Sequence, residues 1–207
     1  MSGAPSRPRA VALVPAAGTS TRMGQPKLLL PIAGQPLIAR VIRAWQAAAV
    51  DRVVVVVRPG DAPLAEAARA AGADVVIPAI APPDMKASLQ AGLAYVEASA
   101  ALLPPNAFLV APADMPNLAP AIIRRLIGLA EGGTQQILVP TLAGRRGHPV
   151  LFPWALAAAV HTLPPDEGIS ALYRQHQPRL VPCDDLTADG DPFGDLDTPE
   201  DYARVVE

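Results

Sequence analysis

Arg22 and Lys27 are cations close together in the sequence, on either side of Gly24 and just after the small residues Ala16, Ala17, Gly18, Thr19 and Ser20. Small residues let backbone N–H groups come close to a ligand. Successive N–H groups beside an arginine and a lysine suit a polyanion such as a nucleoside triphosphate. The spacing is not that of a Walker loop, because no Gly-Lys-Ser/Thr closes it. Nor is it the dinucleotide fingerprint, which needs three glycines in another order. Acidic residues far along the chain offer the complementary chemistry. Asp114 follows the apolar run Phe108-Leu109-Val110. A carboxylate there can hold Mg²⁺, a hard cation that takes oxygen ligands and bridges to phosphates, or it can cap a helix beginning near Leu118. Asp195 and Asp197 alternate around Leu196. In an extended segment their side chains point to one side, an arrangement that suits a divalent cation better than it suits the two like charges. The residues after them, Thr198-Pro199-Glu200-Asp201, read as a helix start, with Thr198 as cap and Asp201 reaching back.

These residues need strand ends to bring them together, and the chain supplies strands. Val11 to Val14, the five valines Val53 to Val57, Val75 to Ile77 and Ala107 to Ala111 are short apolar runs of the buried-strand type. Helical segments alternate with them. One opens at Pro36 with Leu37, Val41 and Trp45 in register, and one spans Ala62 to Ala71 behind Asp61. Others cover Lys86 to Ser99 and Leu118 to Ala130. Ile137 to Val139 and Val150 to Phe152 predict two strands around a glycine-rich turn. Trp154 to His161, Ile169 to His176 and Pro199 to Val206 predict helices, with a weak strand at Leu180-Val181. This alternation predicts a single three-layer α/β/α domain with a mostly parallel, Rossmann-like sheet and a small antiparallel addition. The domain is expected over residues 10–207, behind a mobile Pro/Ser/Arg-rich tail at residues 1–9. In such sheets ligands bind beyond the carboxyl ends of the strands, which is where the glycine-containing turn and Asp114 fall.

Composition narrows the function classes. The chain has 207 residues, 51% hydrophobic and 17% charged, and a net charge of −2. That is globular rather than disordered, and it argues against a nucleic-acid partner held by a general basic surface. The lone Cys183 excludes an internal disulfide and any multi-cysteine metal site, which points to the cytoplasm and to a packing role for the thiol. No apolar run approaches the roughly 20 residues of a membrane helix. The apolar run Ala10 to Ala17 is interrupted by Pro15 and ended by Gly18, which argues against an export signal.

Ala16-Ala17-Gly18, Arg22-Met23-Gly24 and Lys27, together with Asp114-Met115-Pro116 and Asp195-Leu196-Asp197-Thr198-Pro199-Glu200-Asp201, resemble the signature of the sugar-nucleotide-type nucleotidyltransferases, a GT-A-like Rossmann fold. Pro15 stands where that family usually has Leu, and Ala113 where it has Gly. Gly147-His148-Pro149 before an apolar strand, and Ser88-Leu89 with Ala91-Gly92-Leu93, narrow the resemblance to the branch containing molybdenum cofactor cytidylyltransferase and molybdopterin-guanine dinucleotide synthase.

The resemblance implies transfer of a nucleoside monophosphate, CMP from CTP in the first instance, to a phosphorylated acceptor of molybdopterin type, with pyrophosphate leaving. It implies Lys27, Arg22 and Asp114 as catalytic residues. Ala16, Ala17, Gly18, Thr19, Ser20, Lys27 and Ser88 become the nucleotide-binding set, with Ser88 at the base. Asp114, with Asp195 or Asp197, becomes the Mg²⁺ site, where Mn²⁺ can substitute. His148, Gly147 and Arg146 fall on the acceptor side, along with Arg145. Transient contact with a molybdoenzyme or its chaperone is a further implied partnership. Ala17 adds a physical reason for the base: its methyl group narrows the space a purine needs, whereas glycine leaves it open. Transfer from GTP, or to a sugar phosphate or phospholactate, is the alternative within enzymes. A non-catalytic nucleotide or pterin carrier is the alternative outside them.

Overall fold

The computed structural model describes residues 9–19, 23–99, 105–130, 135–186 and 190–206. In chain order the elements are β1 (Ala10–Ala16), β2 (Pro31–Ile32), β3 (Gln35–Pro36), α1 (Leu37–Ala47), β4 (Arg52–Val57), α2 (Ala62–Ala70), β5 (Asp74–Val76), α3 (Met85–Ala98), β6 (Ala107–Val110), α4 (Pro120–Leu129), β7 (Leu138–Leu142), β8 (Arg145–Arg146), β9 (Val150–Pro153), α5 (Ala157–His161), α6 (Leu172–Gln175), β10 (Arg179–Pro182) and α7 (Pro199–Val206). Short 3₁₀ turns at Lys27–Leu29, Trp154–Leu156 and Ile169–Ala171 accompany them.

The main sheet runs β10-β7-β9-β6-β1-β4-β5, with the stub β8 on β7. β5, β4, β1 and β6 are mutually parallel, as are β7 and β10. β9 is antiparallel to both β6 and β7. The antiparallel addition is therefore inserted into the sheet rather than appended to its edge, and a separate hairpin pairs β2 with β3. Helices cover both faces. Val53, Val55 and Val57 of β4, with Ala10, Ala12, Val14 and Ala16 of β1, join the core under α1, α2 and α4. The alternate residues Val54, Val11 and Leu13 join the core under α3 and α5. This is why uninterrupted valine runs are stable here: a central parallel strand buries both of its faces. α3 lies so close that a Cβ on Gly92 would approach Leu13 and Val56 at 3.3 Å.

Several expectations shift at element ends. Pro36 caps α1 rather than opening it. The helix expected from Leu118 starts at Pro120, behind Ala119, which offers no side-chain cap. The segments expected as helices from Trp154 and Ile169 begin as 3₁₀ turns. Pro15 is tolerated in a central strand because β6 pairs with β1 only as far as Leu13, leaving one flank free where the missing N–H would otherwise be felt. Arg9 already belongs to the folded unit: its N–H donates to Asn106 Oδ1 at 2.8 Å, and its carbonyl accepts from Asn106 N. The remainder of the expected N-terminal tail lies outside the described residues. Among the described residues no helix is long and apolar enough to cross a membrane.

Candidate active site

β1 delivers the chain to Ala17, Gly18 and Thr19 at the carboxyl edge of the sheet. Gly24 turns at φ +63°, where a side chain would be strained. The 3₁₀ turn that follows buries Leu28 and presents Lys27. Burial of Leu28 fixes the turn, and the Lys27 ammonium reaches two carboxylates that are remote in sequence. Its Nζ donates to Asp114 Oδ2 at 2.5 Å and to Asp197 Oδ1 at 2.8 Å. Lys27 and Asp114 keep only 14% and 19% of their side-chain surface exposed and Asp197 keeps 42%, so the Lys27–Asp114 pair is sheltered at the cleft floor and Asp197 is its more open partner. Burial pulls the lysine pKa down, but the hydrogen bonds and charges of Asp114 and Asp197 outweigh it and hold the ammonium above its ordinary value.

Asp114 follows β6 and caps no helix, which removes the alternative of a purely structural role at the start of α4. The late segment is tied to it: Leu196 N donates to the Asp114 carbonyl at 2.8 Å. Downstream, Thr198 and Asp201 form the expected capping box. Asp201 Oδ2 accepts from Thr198 N at 2.8 Å and from Asp197 N at 3.1 Å, while Asp201 N donates to Thr198 Oγ1. The box fixes the turn that carries Asp197. Asp195 stands beside the pair. Partial burial, then the charges of Asp114 and Asp197, push its carboxyl up to about 6, with Lys27 opposing.

Asp114 Oδ1 is buried and has no hydrogen-bond partner among the described residues. An ionised oxygen in that state needs a cation or donor. With Asp197 and Asp195 adjacent, the donor set is all oxygen, as Mg²⁺ and Mn²⁺ prefer. Among the described residues no three such side chains converge into a closed metal cage. A divalent ion here would complete its shell from substrate oxygens and water.

The cleft above these residues has a volume of about 500 Å³, within the range of small-molecule sites. Ala16, Ala17, Gly18, Thr19, Lys27, Ser88, Asp114 and Asp197 all line it. Ser88 is buried, and its hydroxyl donates to the Asp84 carbonyl at 3.2 Å. It therefore meets the cleft as a hydrogen-bond acceptor. Asp84 caps α3 by accepting from Ala87 N. Pro82, Pro83 and Met85 form another wall of the cleft. Lys86, one residue farther on, is buried and binds the carbonyls of Pro164 and Pro165, so it anchors a loop rather than facing substrate.

The residues expected on the acceptor side separate. His148 follows the β8 turn and joins Pro149 through a cis peptide bond. Its Nδ1 lies 3.3 Å from the Val110 carbonyl, at the end of β6. A carbonyl only accepts, so Nδ1 carries the proton in that contact and Nε2 is left as an acceptor. Burial holds the imidazole below its ordinary pKa, against the Val110 hydrogen bond and the Asp114 charge, and so favours the neutral ring. Gly147 is explained by packing: a Cβ there would run into the Phe193 ring. Arg145 stacks over the same ring and pairs with Asp191 at 2.5 Å, drawing the late acidic segment onto the β8 turn. Arg146 is exposed, its charge is felt at Tyr173, and it does not line the cleft. Phe193 and Asp191 organise the site, and the sequence reading singled out neither. Ser20 and Arg22 lie outside the described residues.

Residues 12–180 match the family model described as the MobA-like NTP transferase domain. A curated relative, the 2-C-methyl-D-erythritol 4-phosphate cytidylyltransferase of Ralstonia nicotianae, is 39% identical over 146 residues, covering 67% of this chain and 57% of that protein. The bifunctional protein GlmU of Burkholderia ambifaria is 35% identical over 140 residues, covering 64% of this chain and 28% of that protein. The chain thus spans little more than half, or less, of the length of these two curated relatives. Among solved structures, Rv0371c of Mycobacterium tuberculosis H37Rv superposes with a TM-score of 0.76 at 29% identity, covering 97% of this chain and 98% of that one. A manganese complex of Rv0371c superposes with a TM-score of 0.69 at 28% identity, covering 96% and 98%. The chain belongs to the MobA-like NTP transferase family.

Proposed function

We propose, from that membership, that the chain transfers a nucleoside monophosphate from a nucleoside triphosphate to a phosphorylated acceptor. An acceptor phosphate oxygen attacks the α-phosphorus, the bond from that phosphorus to the bridging oxygen of the leaving group breaks, and pyrophosphate departs. The observation that carries this reading is the convergence of Lys27, Asp114 and Asp197 on one cleft at the carboxyl edge of the sheet.

The protein's part is positioning and charge neutralisation. The backbone from Ala17 to Thr19 cradles phosphates, and Lys27 supplies the fixed positive charge inside the cleft. Asp114, with its unpartnered oxygen, and Asp197 or Asp195 would hold a divalent cation. Bound there, Mg²⁺ or Mn²⁺ would supply neutralisation of the charge developing on the phosphate oxygens. The manganese complex of Rv0371c supports a divalent metal of this kind.

CTP is the favoured nucleotide. Ala17 narrows the turn, and Ser88 presents an acceptor that suits the exocyclic amine of cytosine. The cytidylyltransferase relative supports the same base. For the acceptor, Gly147-His148-Pro149 favours a molybdopterin-type phosphate. The name of that relative makes a methylerythritol phosphate the second reading. The pure protein is incubated with a divalent cation, each nucleoside triphosphate in turn and each phosphorylated acceptor, and pyrophosphate is followed. Release with CTP in preference to GTP is expected. A GTP preference overturns the base assignment, and nucleotide binding without pyrophosphate from any acceptor leaves a carrier as the reading.

A further inference from the structure

A second cavity lies between α1 and α4. It has a volume of about 500 Å³ and shares no lining residue with the cleft above Lys27. Its chemistry is one-sided. Arg40, Arg43 and Arg124 line it, and among the described residues no aspartate or glutamate does. On a chain with a net charge of −2, three guanidinium groups around one hollow form a local excess of positive charge.

Two of the three arginines are fixed in place by neutral partners. Arg40 Nε donates to the Pro116 carbonyl at 2.5 Å and its Nη2 to Asn117 Oδ1 at 3.5 Å. Arg124 Nη1 donates to the Ala47 carbonyl at 3.0 Å. A carbonyl orients a guanidinium without neutralising it, and each group has five N–H donors, so most remain available. Among the described residues none of the three enters an ion pair with a carboxylate. Arg43 is exposed at the mouth.

The second observation is independent of the arginines. α4 begins at this cavity, and Ala119 and Pro120 both line it. Its cap residue Ala119 has no side-chain acceptor, and its first turn holds no acid. Pro120 has no N–H, and Ile122 N and Ile123 N already donate to the Ala119 carbonyl, so of this first turn Ala121 alone presents an N–H to the cavity, at the positive end of the helix dipole. A helix N-terminus facing fixed arginines is a setting for a phosphate.

We infer that this cavity is a second ligand site, specific for a phosphate group carried as free phosphate or as a phosphate monoester, with Arg40, Arg43 and Arg124 as its ligands. Arg40 also grips the segment two residues beyond Asp114. Occupancy of this site is therefore in mechanical contact with the strand-end loop of the cleft, although it makes no contact with the cleft itself.

The test uses the full chain carrying Lys27→Ala, in chelator, so that neither the lysine nor a divalent ion recruits phosphate to the cleft. Inorganic phosphate and glycerol 3-phosphate are titrated by calorimetry. Saturable binding of one equivalent is expected, with the tighter of the two probes naming the form recognised. Adding Arg43→Ala and Arg124→Ala together should weaken it by about a hundredfold. Arg43→Lys alone should cost less than Arg43→Ala, because it keeps the charge and loses the fork. Arg43 has no fold-supporting contact to lose among the described residues, so Arg43→Glu in a chain with an unchanged melting curve serves as the check on folding, and it should abolish binding. Absence of saturable binding by either probe overturns the proposal, as does binding indifferent to the arginine substitutions or equal affinity for an acidic peptide. No nucleotide turnover enters this test, so its outcome is separate from that of the proposed transferase activity.

Discussion

Replacing Asp195 by asparagine should make the apo protein more stable while impairing the proposed transferase activity. Partial burial and the charges of Asp114 and Asp197 raise the Asp195 carboxyl from an ordinary 3.8 to about 6. Undiminished, that difference corresponds to about 3 kcal/mol of unfavourable interaction with the ionised form. The side chain is only partly withdrawn from solvent, so screening reduces this to about 1 kcal/mol. The sign follows from proton linkage. A carboxyl whose folded pKa is raised binds more protons in the native state than in the unfolded state between about pH 4 and pH 6. The wild-type chain therefore loses stability as pH rises through that window, and the penalty is fully present above it. An asparagine side chain does not titrate, so Asp195→Asn should melt about 2–4 °C above wild type at pH 7.5. The gain should vanish at pH 3.5. Thermal melts of both proteins at the two pH values, in chelator, measure this directly. Equal melting at pH 7.5 would refute the reasoning, and so would a gain independent of pH. Pyrophosphate release by the same variant should fall where Asp195, rather than Asp197, joins Asp114 in the proposed cation site, and an unchanged rate assigns that role to Asp197.

Lys27→Ala should lower the rate of pyrophosphate release by about 10²–10³, measured at saturating nucleotide; near-normal release would remove Lys27 from the mechanism. Excess chelator should abolish turnover, and added Mg²⁺ or Mn²⁺ should restore it, whereas full activity in chelator would remove the metal role of Asp114. Gly147→Ala should cost about 1–3 kcal/mol because its Cβ meets the Phe193 ring. Pairing it with Phe193→Leu should recover part of that loss in a double-mutant cycle of melting curves, and a Gly147→Ala chain that melts with wild type would rule out the packing role.

The parts of this molecule that could be read from sequence are those whose cause is local or periodic. Val53 to Val57 form a buried strand because five apolar β-branched residues in succession suit no half-exposed element. Thr198 to Asp201 form a capping box whose members lie within one helical turn. The insertion of β9 between β6 and β7 was not legible, since pairing order depends on loop paths that leave no periodic signal. Asp114 as a helix cap and Asp114 as a site residue were equally compatible with its neighbours. The start of α4 at Pro120 removes the cap and leaves the site role as a proposal. Gly147 looked like part of a ligand loop because Gly-His-Pro is a conspicuous string. The structure adds a packing reason, the Phe193 ring against its backbone, which no local sequence pattern announces.

The contact that defines the site has the longest reach. Lys27 meets Asp114 across 87 positions and Asp197 across 170. Composition and spacing show that cations and carboxylates exist, but only the fold shows that they balance one another. That balance has a chemical consequence. Asp114 and Asp197 bind the ammonium of Lys27, and Asp195 lies near enough to feel all three charges, so among the described residues the strand-end site carries an excess of negative charge. A nucleoside triphosphate entering such a site adds more of the same sign. Lys27 cannot neutralise both the carboxylates and the phosphates, and the buried Asp114 Oδ1 already lacks a partner among the described residues. On the proposed chemistry the triphosphate would enter with a cation of its own. An oxygen-preferring divalent cation meets that need, because it binds carboxylate and phosphate oxygens together. The proposed metal thus has a physical motive in the charges that the fold collects.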